Sequence, residues 1–298
     1  MTTVSHRHLT AKVPQRVVVI GKSSFVGAAI LRHLEGLKVP CLGLGRDDID
    51  LLEPDATTRL AAILRPSDSV VAVAAIAPCK TVAMLADNII LAKNILEALD
   101  KVKVSHVINI SSDAVYPDQP LSITENVPPS PDTLHGAMHL AREVAFRTSA
   151  GAPLATLRPS LLFGANDPHN GYGPNRFRRL AQKKAPIVLF GAGEERRDHV
   201  FINDLAEIAT RVLFHGSTGT LNVATGKVFS FAEIAQKVIA IAKSSSPIKT
   251  STRVGEMPHK GYRAFDIAAC RSAFPDFTYT SLEAGLRIAL EMEKISYG

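Results

Sequence analysis

From Arg16 to Arg158 the chain alternates short apolar runs with amphipathic stretches, and no other feature constrains its fold as tightly. Arg16-Val-Val-Val-Ile20 is a β-branched run that stops at Gly21. A run of this length with no polar position inside it fits a strand buried on both faces. Phe25 to Leu34 follows, with apolar residues at Val26, Ile30 and Leu34, the spacing of one helix face. The pair of patterns then recurs. Strands are expected at 40–44, 69–76, 105–110 and 155–158, and helices at 57–64, 81–99 and 134–148. Strand and helix in strict alternation predict an α/β fold with a doubly wound parallel sheet and right-handed crossovers.

Beyond Phe163 the alternation loosens at Gly164, Pro168, Gly171, Gly173 and Pro174. A helix is expected near 176–183, a strand near 187–190 and a helix over 203–213. Residues 221–224 read as a further strand of the first sheet, and 231–242 and 281–295 as helices. The division that follows is a large domain over 14–163, completed by about 190–225. A smaller lobe takes 164–189 and 226–298. Residues 1–13 are polar with no apolar core, which reads as a flexible arm rather than a signal peptide.

The three cysteines, Cys41, Cys79 and Cys270, are odd in number and far apart. They point to a reducing, cytoplasmic setting and away from a disulfide framework or a thiolate metal site. No apolar stretch approaches the ~18 residues of a membrane span. The net charge is +6, but only 6% of residues are aromatic and Trp is absent, which disfavours a nucleic-acid surface. The densest basic stretch, Arg176, Arg178, Arg179, Lys183 and Lys184, falls mostly on one helix flank. That flank faces either solvent or a phosphate-bearing ligand.

The first strand leads into Gly21-Lys-Ser-Ser-Phe-Val-Gly27 and then a helix. A glycine at the strand end permits a tight turn, and Gly27 lets helix and strand pack closely. The amides at the helix start then face a pyrophosphate, with the helix dipole favouring negative charge. A strand–helix turn without a ligand is the alternative. At the end of the second strand, Leu44-Gly45-Arg46 offers a cation where an acid would suit a ribose 2′-hydroxyl. The arginine favours NADP over NAD as cofactor, unless Arg46 is only a surface residue. Asp50 and Leu51 would lie beside the adenine.

With these motifs the chain resembles the extended short-chain dehydrogenase/reductases, the NAD-dependent epimerase/dehydratase family in its nucleotide-sugar branch, from about Val17 to Glu291. The glycine loop has the family spacing, with Ser24 at the usual middle glycine. Ala74-Ala75 resembles the segment passing the cofactor, and Asn88 stands where the family has Asn. Ser111-Ser112-Asp113-Ala114-Val115-Tyr116 resembles S-[ST]-x-x-V-Y. Leu157-Arg158-Pro159 through Phe163-Gly164 resembles the family's LRP segment. Phe190-Gly-Ala-Gly-Glu-Glu-Arg-Arg-Asp198, with Val200 to Asp204 and Asn222-Val-Ala-Thr-Gly226, extends the match. The resemblance implies a Rossmann-type domain with a substrate lobe, a nicotinamide cofactor bound by Gly21, Ser24, Phe25, Val26 and Gly27, a nucleotide-sugar substrate and a homodimer.

The family's Tyr-x-x-x-Lys is absent. Gly136 and Glu143 align Leu134-His135-Gly136-Ala137-Met138-His139 with that motif, so His135 stands for the tyrosine and His139 for the lysine. An imidazole exchanges protons near neutrality, and a protonated His135 with Ser112 would meet alkoxide charge at the reacting carbon. His139 would hydrogen-bond a ribose hydroxyl. At most one of the pair is expected to be charged. Tyr116 belongs to the V-Y motif and is no substitute. Asp113 is the remaining catalytic candidate, but Ala114 follows it, which disfavours the Asp-Glu pair of sugar dehydratases. A zinc reading fails on the missing glutamate of H-E-x-x-H. Arg197 resembles the arginine that meets the nucleotide diphosphate, with Arg196 as its alternative, and Asn175, Arg176 and Arg263 are further substrate contacts. The function expected is an NAD(P)-dependent oxidoreductase or epimerase on a nucleotide-activated sugar. The competing expectation is a catalytically degenerate binding protein or partner subunit.

Overall fold

The structure, a computed structural model, describes residues 3–118 and 122–296, with side chains through 292. Its first half runs β1 (Arg16–Ile20), α1 (Phe25–Gly36), β2 (Cys41–Leu44), α2 (Ala56–Ile63), β3 (Asp68–Ala72), α3 (Val82–Val102), β4 (His106–Ile110), α4 (Leu134–Ser149) and β5 (Leu154–Pro159). The second half runs β6 (Leu161–Phe163), α5 (Pro174–Gln182), β7 (Ile187–Phe190), β8 (Arg196–Phe201), α6 (Ile202–His215), β9 (Gly219–Val223), β10 (Val228–Ser230), α7 (Phe231–Ala242), β11 (Ile248–Ser251), β12 (Tyr262–Arg263), α8 (Ala268–Ala273) and α9 (Leu282–Ser296). Six strands build the main sheet in the order β2-β1-β3-β4-β5-β9, each pair parallel. The chain leaves β1 in opposite directions towards β2 and β3, so a crevice opens at the carboxyl end of β1.

Both faces of this sheet are covered. Val17 and Val19 pack with Ile30, Leu34 and the α6 residues Leu205 and Ile208. Val18 and Ile20 face Leu60, Ile95 and Leu99 of α2 and α3. Two buried faces explain why Val17–Ile20 of β1 is apolar throughout and does not alternate. Around this sheet, helices start where a hydroxyl meets a free amide, with Ser24 capping α1, Thr81 capping α3 and Thr133 capping α4. Among the described residues, no helix is long and apolar enough to cross a membrane.

A second sheet forms around β8, which pairs antiparallel with β10 and parallel with β12 and β6, although β8 and β6 lie within the residues expected for the large domain. β7 and β11 form a separate parallel pair. Phe177, Phe231, Ile234 and Leu286 of α5, α7 and α9 belong to the same core as Val17 and Val19, so the two lobes share packing. The sequence carried no expectation of β8. Its Arg-Arg-Asp-His start looks unlike a buried strand, and Asp198 is buried only because Ser160 and Thr225 hydrogen-bond it.

Two expectations are corrected here. The arm expected to be flexible is paired over its described part; Met1 and Thr2 lie outside the described residues. Ser5 and Thr218 exchange backbone hydrogen bonds of 2.9 and 2.8 Å along the β9 edge. His6 bonds Ser217 Oγ and the Ala273 carbonyl, each at 2.8 Å, and stacks on His215 at 4.4 Å. A sheet edge offers unpaired groups that a polar segment satisfies. The basic cluster does not share a flank either. Arg178 is fully buried and donates to the Gly164 carbonyl at 3.0 Å, whereas Arg176 is exposed. Two residues apart on a helix, they point to nearly opposite sides.

Candidate active site

Both loop glycines are required by the turn itself. Gly21 has φ +112°, and a Cβ there would lie 2.8 Å from the Ala74 nitrogen. At Gly27 a Cβ would lie 2.1 Å from the Gly21 carbonyl oxygen. Ser24 sits at φ −72°, where no glycine is needed. Its Oγ accepts the Gly27 N–H at 3.0 Å and donates to the Gly21 carbonyl at 2.8 Å. Phe25 and Val26 open α1, and amides at those positions have no partner within the helix. The turn is therefore a cradle that fits a pyrophosphate.

A cavity of about 210 Å3 lies at the β1–β3 crevice, lined by Gly21, Ser24, Arg46, Asp50, Leu51 and Ala74 among others. The Arg46 side chain is 71% exposed, with its Nε 3.8 Å from Asp50. Asp48, which the sequence did not single out, accepts the Gly45 N–H at 2.8 Å and pairs with Lys22. The Lys22 contact, then the Gly45 amide, hold its carboxyl below the usual range. Asn88 does not line this cavity. Buried behind it, Asn88 brackets Ile76 through bonds of 2.8 and 3.0 Å and so shapes the segment after β3.

A larger cleft of about 510 Å3 meets the first cavity at Ser24 and Ala75, both of which line each. Phe25, Val26, Ser112, Asp113, His135, His139, Asn175 and His199 are on its wall. The rings of His135 and His139 meet edge to face at 4.7 Å. The Cys79 amide donates to His135 Nδ1 at 3.4 Å, so in the neutral ring the hydrogen sits on Nε2. Burial pushes the His135 pKa down against the opposing pull of Asp113. His139 is pushed well below the ordinary value by burial, then by His135 and Arg142. Both shifts favour the neutral ring, where the sequence expectation was a protonated His135. His139 Nδ1 is buried without a partner among the described residues.

Ser112 Oγ accepts the Ala114 amide at 3.2 Å and lies 3.4 Å from Asp113 Oδ1. Asp113 is engaged elsewhere: Arg263 donates to its carboxylate at 2.9 Å and to its carbonyl at 2.5 Å. The same contact answers the expectation for Arg263, whose guanidinium is fully buried bracing this turn and does not line the cleft. Arg197 pairs with Glu195 at 3.1 Å, and the alternative Arg196 with Glu233 at 3.3 Å. Asn175 reaches the cleft wall but uses its amide on the Gly164 N–H (3.0 Å) and the Leu162 carbonyl (3.3 Å). Of the four expected substrate contacts, Asn175 alone lines the cleft. The arginines are drawn away by carboxylates or, for Arg176, by the solvent side of α5.

His199 was missed. It is fully buried in the cleft wall, its Nδ1–H meets the Arg197 carbonyl at 3.2 Å, and its Nε2 has no partner among the described residues. Burial lowers its pKa to about 3. The signal was one polar residue interrupting an otherwise matching motif between Asp198 and Val200. Tyr116 lies in a buried network, donating to Asn222 Oδ1 at 2.7 Å and accepting from Arg158 at 2.8 Å. Arg158 in turn grips Glu143 at 2.8 and 2.6 Å.

Parallel sheet, glycine cradle and two joined cavities define a Rossmann-type protein with a second lobe over the sheet's carboxyl edge. A family model described as NAD dependent epimerase/dehydratase family matches residues 17–224. The chain belongs to that family. The probable GDP-L-fucose synthase of Drosophila melanogaster is 22% identical, with 93% of this chain and 96% of the relative covered. The GDP-L-fucose synthase of Escherichia coli (strain K12) is 23% identical, with 76% and 81% covered. Among solved structures, the UDP-glucose 4-epimerase of Thermus thermophilus in complex with NAD has a TM-score of 0.82 at 23% identity, covering 94% of this chain and 99% of that one. A GDP-L-fucose synthetase from Naegleria fowleri bound to NADP has a TM-score of 0.80 at 20% identity, covering 100% and 98%. At these identities the structural likeness speaks for the fold.

Proposed function

We propose that the chain is an NAD(P)-dependent oxidoreductase or epimerase acting on a nucleotide-activated sugar, with Ser112 and His135 at the reacting carbon. One observation carries this reading. The cavity behind the glycine cradle opens directly into a cleft where His135 presents an Nε2–H, its tautomer set by the Cys79 amide. A bound nicotinamide dinucleotide supplies the hydride donor or acceptor. This chain's residues do the rest. Phe25 and Val26 amides hold phosphate oxygens, and Ser112 Oγ–H with His135 Nε2–H steady oxygen charge as a carbonyl gains hydride. A neutral imidazole is a competent hydrogen-bond donor in such a site and keeps its own proton; the alkoxide takes its proton from solvent, and loss of that proton to solvent opens the reverse step. His139 takes a ribose hydroxyl. Arg46 and Lys22, near the ribose end, favour NADP, while Asp48 and Asp50 temper that preference.

The test is oxidation of NADPH and NADH by GDP-, UDP- and dTDP-linked keto-sugars. Turnover should fall by ~10²–10⁴ in His135→Ala and persist in Tyr116→Phe. No turnover with any of these, alongside intact dinucleotide binding, would transfer the reading to a non-catalytic binding protein or partner subunit. The absence of a permanent cation at position 139 favours that second reading. A homodimer is part of the proposal. α3 and α4 lie side by side and leave Val82, Ile89, Ile90 and Val144 exposed, an apolar face suited to a second copy.

A further inference from the structure

Arg158 and Arg263 are fully buried, and each meets a carboxylate, Glu143 and Asp113. Arg142 is equally buried, yet among the described residues its side chain meets no carboxylate. Its Nε donates to Asn109 Oδ1 at 2.8 Å, and its two terminal nitrogens donate to the carbonyls of Ala74 (2.5 Å) and Ala72 (2.9 Å). Burial lowers its pKa only to about 10, so it remains a cation at neutral pH. A buried cation without an anion is costly, and a fold that keeps one places it where the charge has a use.

The location is specific. Ala72, Ala74 and Asn109 mark the carboxyl ends of β3 and β4, the rim of the crevice. Ala74 rests against the glycine turn, its amide donating to the Ile20 carbonyl at 2.8 Å. Arg142 shares α4 with His135 and His139, two turns and one turn earlier. One guanidinium thus ties the helix bearing both histidines to the floor beneath the glycine cradle. Among the described residues, the cleft wall itself carries Asp113, Asp167 and four histidines, but no lysine or arginine.

We propose that Arg142 is the fixed cation of this site, a positioning residue that locks α4 to the dinucleotide floor and biases the site towards the reduced nicotinamide ring over the oxidised one. The inference rests on the dinucleotide reading above. The oxidised ring carries a positive charge and the reduced ring none, so a cation held behind the cleft in a weakly screened interior penalises the first alone. Carbonyl partners orient the guanidinium without neutralising it.

Calorimetric titration of the full chain with NADP+ and NADPH, and with NAD+ and NADH, tests this. The wild type should bind the reduced form about tenfold more tightly than the oxidised one. Arg142→Gln should bring the ratio to within about twofold. Arg142→Lys keeps the charge and loses the fork, so both affinities should weaken while the ratio stays. A wild-type ratio in Arg142→Gln overturns the inference. Should that variant not fold, the wild type decides alone, since equal affinities for the two forms refute the bias. Absence of binding by either form refutes the dinucleotide reading instead, and the inference with it.

Discussion

His199 offers a direct test of whether the cleft wall is as dry as its packing implies. Burial, then the nearby Arg197, lowers its pKa to about 3, whereas a histidine in the unfolded chain titrates near ~6.5. Between those values the unfolded state binds the extra proton, so stability falls as the pH drops. The gap between the two sets a ceiling of about 5 kcal/mol, reached only near pH 3. At pH 5 the same linkage costs about 2 kcal/mol, and at pH 8 almost nothing. His199→Leu removes the group. The variant should be less stable at pH 8, having lost ring packing against Phe231 (5.9 Å) and the bond to the Arg197 carbonyl. On acidification it should lose less. At about 2 °C per kcal/mol for a chain of this size, the fall in Tm from pH 8 to pH 5 should be about 4 °C smaller than in the wild type. Buried His106 and His139 titrate in both proteins and cancel in the difference. Equal falls in Tm would mean that the ring is not held neutral by its surroundings, and the reasoning from burial would be wrong.

Three further outcomes are expected. In Gly27→Ala the new methyl meets the Gly21 carbonyl at 2.1 Å, so dinucleotide affinity should fall by about 100-fold or more and Tm should drop; calorimetry showing near-normal affinity would contradict the cradle. Glu143→Gln leaves the buried Arg158 without its counter-charge and should cost ~3–5 kcal/mol in denaturant unfolding, and a loss below about 1 kcal/mol would show the pair to be dispensable. Because burial holds His135 neutral, kcat/KM should be level from pH 8 to about 6.5 and decline only as the pH falls through its lowered pKa. Activity that grows on acidification below pH 6 would instead favour a protonated His135.

Much of the architecture was legible because it is written in local patterns. The Val17–Ile20 run of β1 is apolar since both faces are covered, and the helix expected over 231–242 coincides with α7, whose start Ser230 and Glu233 close with a capping box. The glycine turn was legible for a related reason: Gly21 and Gly27 answer steric demands only a few residues away. The edges of the helices slipped by one to three residues, most at the end of α3, as helix ends do. Missed strands share a cause. β6, β10 and β12 are two or three residues long and exist only by pairing with β8, itself disguised by its charged start.

Periodicity and turn chemistry, then, lay open along the chain: a parallel sheet wrapped in helices, a phosphate-sized turn after its first strand, and two imidazoles one turn apart at the head of α4. The fate of each charge did not. Arg263 meets Asp113 across 150 residues of sequence, Arg142 finds carbonyls in place of an anion, and burial pushes both cleft histidines towards the neutral form. Partner choice and protonation depend on what surrounds a side chain in three dimensions, on dielectric and distance, and those quantities come into being only when distant segments pack together.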